Sequence, residues 1–149
     1  MSAPGSDVPL RILAVDDDPL NRALIRAILV RTDDPAVRGA HILEAATLGE
    51  ARAALDREPL DLVILDMHLP DGLGSSLAAE LRGWPAQTRP AVLALTASVL
   101  PAEQQAALDA GFDAFLAKPY RPADLVAAIA ALVGPSRIDR TSEPGSQRD

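Results

Sequence analysis

Five side chains stand where they could do chemistry together: Asp16, Asp17, Asp66, Thr96 and Lys118. Each follows or ends an apolar run: Leu10 to Val15 before the two aspartates, Leu62 to Leu65 before Asp66, Ala91 to Leu95 before Thr96, and Ala114 to Ala117 before Lys118. Short continuous apolar runs suit strands buried on both faces of a parallel sheet. The carboxyl ends of such strands share one edge, where ligands bind, so residues distant in sequence converge there. Carboxylates gathered in this way repel, by about 4 kcal/mol for a pair about 4 Å apart at an effective dielectric of about 20. A divalent cation relieves that repulsion, and hard oxygen ligands with positions left for water favour magnesium. Lys118 adds positive charge and Thr96 a hydroxyl, both suited to the oxygens of a phosphoryl group. Together the five describe an acceptor for phosphate.

The elements that must position them alternate along the chain. After the first strand, Asp18 is placed to cap a helix with Pro19 at its first position, and Leu20, Leu24, Ala27 and Ile28 give it an apolar stripe. His41 to Ala45 is a weaker strand, and Thr47-Leu48-Gly49-Glu50 matches a capping box that opens a helix to about Arg57. Beyond Asp66 the chain turns through Pro70, Asp71 and Gly72, then enters a short helix from Ser75 to about Arg82. Pro101 starts a helix that stops at Ala110-Gly111, and Pro122 starts a last one, with Leu125, Ile129 and Leu132 on one face and Gly134-Pro135 as its end. Five strands alternating with five helices predict an α/β fold, a doubly wound five-stranded parallel sheet with right-handed crossovers. Residues 1–9 read as a disordered lead-in, 10–134 as one domain, and 135–149 as a short disordered tail without an effector module.

Composition narrows the function classes. The 149 residues, 48% of them hydrophobic, suffice for one well-filled core. A net charge of -7 without a basic cluster leaves no electrostatic footprint for direct nucleic-acid binding. The absence of cysteine removes disulfides, thiolate metal sites and thiol catalysis. His41 and His68 have no second ligand at zinc spacing. Neither a signal peptide nor a membrane-length apolar run is present in the sequence, which predicts a soluble, cytoplasmic protein.

In order and spacing at every motif, from about Leu10 to Val133, the chain resembles the receiver domain of two-component response regulators, in its stand-alone, chemotaxis-regulator-like form. The resemblance implies a flavodoxin-like fold with strand order 2-1-3-4-5. It implies that Asp66 is the phosphoacceptor, that Asp17 and Asp66 bind Mg2+ directly and Asp16 largely through water, and that His68 offers the metal its backbone carbonyl. Thr96 becomes the switch hydroxyl, Phe115 the switch aromatic, Lys118 the phosphate-binding lysine, and Lys118-Pro119 a cis peptide bond. His68 and Ala97 flank the path of hydrolytic water. The implied partners are a histidine kinase or histidine phosphotransfer protein as donor and a downstream protein docked on the face of helix 4, strand 5 and helix 5. By resemblance the domain is no enzyme proper but phosphorylates itself and slowly dephosphorylates itself. Three rivals remain. One is a magnesium-dependent phosphatase with an aspartyl-phosphate intermediate, against which His68 stands where an acid/base carboxylate is needed. Another is an interaction module that keeps only the fold, and the third a receiver excised from a larger hybrid kinase or regulator.

Overall fold

The computed structural model describes residues 9–97 and 100–142, the last nine of these by backbone alone. The strands are β1 (Arg11–Val15), β2 (His41–Ala45), β3 (Leu62–Asp66), β4 (Ala91–Thr96) and β5 (Ala114–Ala117). They form one sheet in the order β2-β1-β3-β4-β5, parallel at every pairing. The helices are α1 (Pro19–Arg31), α2 (Leu48–Arg57), α3 (Gly74–Arg82), α4 (Pro101–Ala110) and α5 (Pro122–Ser142). This is the doubly wound, flavodoxin-like fold and strand order expected from the sequence.

Alternation along the strands divides the core in two. Leu13, Val15, Val63, Leu65, Val92 and Ala94 face α2, α3 and α4, whereas Ile12, Ala14, Leu62, Ile64, Leu93 and Leu95 face α1 and α5. Because β3 lies at the centre with both faces covered, Leu62 to Leu65 are all completely buried. Each such Leu or Ile contributes about 2 kcal/mol of burial free energy. Only the last residue of the strand, Asp66, emerges.

Two expectations are corrected. In α1 the buried residues are Ile25, Ile28 and Leu29, while Leu20 is 77% and Leu24 49% exposed and Ala27 is exposed as well. The core face is thus rotated about one residue step from the expected stripe, with Ile28 common to both. Packing against Ile12 and Ile64 of the sheet selects the isoleucine face. The second correction concerns α5, which runs to Ser142, past Gly134-Pro135, so residues 135–142 of the expected tail are helical. A proline inside a helix removes one hydrogen bond and kinks the axis, which need not end there. The lead-in, apart from Pro9, and residues 143–149 of the tail lie outside the described residues. No helix among the described residues is long and apolar enough to cross a membrane.

Candidate functional site

At the carboxyl edge of the sheet, β1 delivers Asp16 fully buried and Asp17 exposed. Three of Asp16's four polar groups are held. Its N–H donates to the Ala45 carbonyl at 3.0 Å, its carbonyl accepts from Arg22 Nη1 at 2.6 Å, and its Oδ1 accepts from the Asp18 N–H at 2.9 Å. The remaining oxygen, Oδ2, is buried and makes no hydrogen bond. Arg22 is itself steadied by Glu44, whose carboxyl is held below the usual carboxylate range, first by a hydrogen bond from Arg26 and also by Arg22.

Asp66 faces that orphaned oxygen from β3. Lys118, one residue past β5, bridges the two, its Nζ 3.6 Å from Asp16 Oδ2 and 3.5 Å from Asp66 Oδ1. Burial pushes the Asp66 carboxyl above its ordinary pKa, and the charge of Asp16 adds to this while Lys118 opposes it. One lysine therefore faces more negative charge than it neutralises. Carboxylate oxygens of Asp16, Asp17 and Asp66 lie within 4.8 Å of one another. A buried carboxylate oxygen that makes no hydrogen bond, with its one cation 3.6 Å away, is costly in the bare protein. One hard oxygen from each of Asp16, Asp17 and Asp66, gathered at that point, fits a divalent cation such as magnesium.

The other expected residues lie around this cluster. Thr96 ends β4, partly buried, and its carbonyl accepts from the Lys118 N–H at 2.7 Å, which fixes the lysine's backbone to the neighbouring strand. Because Asp66 is in register with Leu95, Thr96 and Ala97 extend just beyond the aspartate. Phe115, opposite Ala94, is partly buried against the core under α2, α3 and α4. The Lys118-Pro119 bond is cis. His68 and Ala97 are exposed, and the imidazole of His68 lies outside the three-residue group that could hold a metal.

Sequence reasoning missed how the loop after Asp66 is built. Residues His68–Leu69 and Gly72–Leu73 pair as a small antiparallel ribbon. Its base is closed by the Gly74 N–H donating to the Met67 carbonyl at 2.8 Å. A Cβ at Gly74 would run into the Asp66 carbonyl oxygen, so glycine is required by close approach. At its tip, Asp71 accepts from the N–H groups of Leu48 and Gly49 at the start of α2. The glycines were a signal for the turn, but nothing local in sequence links Asp71 to a helix 23 residues earlier.

Comparison with known proteins places this arrangement. Residues 12–130 match the response regulator receiver domain. The chain is 35% identical over 122 residues to the transcriptional regulatory protein KdpE of Mycobacterium tuberculosis, covering 82% of this chain and 50% of that one. It is 31% identical to the sensor histidine kinase GacS of Pseudomonas protegens, covering 93% of this chain but 15% of the kinase. The chain therefore spans half or less of these two relatives. Among solved structures, the receiver domain of the sensor histidine kinase PA1611 from Pseudomonas aeruginosa, with a magnesium ion coordinated in its active-site cleft, superposes with a TM-score of 0.71 at 29% identity, covering 85% of this chain and 99% of that one. A CheY-like receiver domain protein from Methanospirillum hungatei superposes with a TM-score of 0.74 at 28% identity, covering 89% and 99%. With the family matched over most of its length and the acidic edge in place, the chain belongs to the response regulator receiver domains of two-component signalling.

Proposed function

We propose that Asp66 accepts a phosphoryl group from a phosphohistidine on a histidine kinase or histidine phosphotransfer protein. The observation that carries this reading is the position of the Asp66 carboxylate, partly buried within the acidic cluster and 3.5 Å from Lys118 Nζ. An Asp66 carboxylate oxygen attacks phosphorus in line, the phosphorus–nitrogen bond breaks with its electron pair returning to the imidazole, and an acyl phosphate forms on the aspartate. Lys118 pairs with the phosphoryl oxygens as charge spreads over them, and its N–H bond to Thr96 keeps it aimed. Asp16, Asp17, Asp66 and the His68 carbonyl would hold Mg2+, which supplies charge neutralisation for the oxygens gathered there.

The new phosphoryl then draws the Thr96 hydroxyl, and Phe115 turns inward in response. This biases a two-state face made by α4, β5 and α5 toward a downstream protein. Self-phosphorylation from a small phosphodonor and slow self-dephosphorylation, with water passing between His68 and Ala97, complete the cycle of a cytoplasmic signalling domain. The low coverage of the curated relatives favours a second setting for the same chemistry, a receiver that works as one module of a larger kinase or regulator.

The test is incubation with a small acyl phosphate and Mg2+, followed by mass spectrometry. One hydroxylamine-labile phosphoryl group is expected on wild type and none on Asp66→Asn. Labelling of the variant to the wild-type extent overturns the assignment.

A further inference from the structure

The first turn of α2 needs acceptors for N–H groups that the helix itself cannot satisfy. Thr47 Oγ1 accepts from the Glu50 N–H at 3.0 Å, and Glu50 Oε1 reaches back past the cap to accept from the Ala46 N–H at 2.7 Å, a variant of the capping box. The Leu48 and Gly49 N–H groups are left, and both are taken by Asp71, at 2.8 Å to Oδ1 and 3.0 Å to Oδ2. These two bonds hold the Asp71 carboxyl below the usual carboxylate range. A helix of this length with a capping box does not require a second carboxylate from a distant loop. The partner that gains is the loop itself. Residues 67–73 carry the chain from Asp66 out to Asp71 and back, and they are tied at both extremities: at the base by Gly74 against the Asp66 and Met67 carbonyls, at the tip by Asp71 on α2. Gly72, at φ 148°, lies against Leu48 of the same helix turn, so the tip sits on α2 by packing as well as by hydrogen bonds.

We infer that Asp71 is a positioning residue for the phosphoacceptor loop, using the start of α2 as a fixed post to hold the Met67–His68 backbone beside the carboxylate cluster. This rests on Asp66 as phosphoacceptor. A loop tied only at its base would sample positions for the His68 carbonyl, and a ligand group displaced by a fraction of an ångström weakens both metal binding and in-line attack.

Two variants of the same helix end separate this role from plain capping. Asp71→Ala removes the loop tie, whereas Thr47→Ala removes one capping bond and leaves the loop untouched. Each is titrated with Mg2+ by backbone amide NMR without phosphodonor, and separately phosphorylated with a small acyl phosphate, well below its melting temperature. Asp71→Ala is expected to lose about tenfold in Mg2+ affinity and in phosphorylation rate, with shifted Met67 and His68 amides, while Thr47→Ala stays within about twofold of wild type. Asp71→Asn, which keeps one side-chain acceptor, should fall between and serves in place of the alanine variant if that one does not fold. Equal behaviour of the Asp71 and Thr47 variants overturns the inference. If Asp66→Asn blocks labelling in the same series, such equality removes only the role of Asp71. If Asp66→Asn is labelled like wild type, the phosphoacceptor assignment itself has failed.

Discussion

Aspartates sit at both edges of the same sheet and do opposite things. At the amino edge, Asp61 precedes β3 and accepts from the Arg11 N–H at 2.8 Å, and Asp113 precedes β5 and accepts from the Val92 N–H at 2.8 Å. Each pins a neighbouring strand. At the carboxyl edge, Asp16 is more deeply buried than either, yet one of its oxygens has no hydrogen bond, and Asp66 and Asp17 crowd it within 4.8 Å. The chemical group is the same; only the supply of N–H donors differs. At the amino edge a strand N–H meets each carboxylate, whereas at the carboxyl edge, among the described residues, Asp16 Oδ2 and Asp66 share the single ammonium of Lys118. A satisfied aspartate is a structural part, and an unsatisfied buried one marks a place held ready for something else.

The sharpest way to break this comparison is to neutralise one aspartate at each edge. Asp66→Asn is expected to abolish phosphoryl incorporation completely. Asp61→Ala should leave incorporation unchanged while costing about 1–2 kcal/mol of stability, read from urea unfolding, because the Arg11 N–H loses a charged acceptor. Incorporation reduced in proportion by Asp61→Ala would show that the two edges are not separable in function.

The same contrast explains what the sequence made legible. The strands were readable because their apolar runs are continuous and end sharply in a polar residue, and that reading brought Asp16, Asp66 and Lys118 to one edge. The start of α2 was readable because Thr47 and Glu50 form a local box. In α1 two faces satisfy helical spacing, Leu20-Leu24-Ala27 and Ile25-Ile28-Leu29, and only the sheet decides between them. Asp71 was legible as a turn residue and nothing more, since its partners lie across the fold.

Stability without metal sharpens the comparison further. The Asp66 carboxyl titrates above its ordinary value, so ionised Asp66 is less favourable in the folded chain than in the unfolded one. Stability therefore falls as pH rises from the unfolded value to the raised folded value, and stays lower above it. Asp66→Asn should melt at a higher temperature than wild type at neutral pH without metal, and the gap should close in acid. Magnesium at ten times its dissociation constant adds about 1.4 kcal/mol to wild type and less to the variant, narrowing or reversing the order. Thermal melts at two pH values with and without Mg2+ read this directly. A variant that melts below wild type without metal would mean that the carboxyl edge stores no strain.

Asp71 belongs with the satisfied aspartates and should titrate in the opposite sense. Its lowered pKa means a stabilising contribution that is fully present above its ordinary value and lost as pH falls through the folded one. Asp71→Asn should accordingly flatten the acid limb of the stability curve and leave the neutral region nearly unchanged. An acid limb as steep as that of wild type would show that the two α2 bonds do not favour the ionised form.

The smallest expected effect concerns the lifetime of the phosphorylated state. Beyond the register pair Asp66 and Leu95, the next residues on β4's path are Thr96 and Ala97, and Ala97 is exposed. On the other side Met67 packs into the core and His68 is exposed. In the proposed cycle water approaches opposite the Asp66 oxygen between positions 97 and 68; a methyl group at 97 would leave that approach open, whereas the imidazole would obstruct it or orient the water. Enlarging position 97 changes only the first of these. Ala97→Leu is expected to slow loss of the phosphoryl group by about three- to tenfold, equivalent to about 0.7–1.4 kcal/mol in the barrier, without altering the extent of its formation. Decay is followed at equal Mg2+ after removal of the phosphodonor. Equal decay in wild type and variant would place the water path elsewhere. It would also confine the working part of the carboxyl edge to the residues that touch the acids themselves.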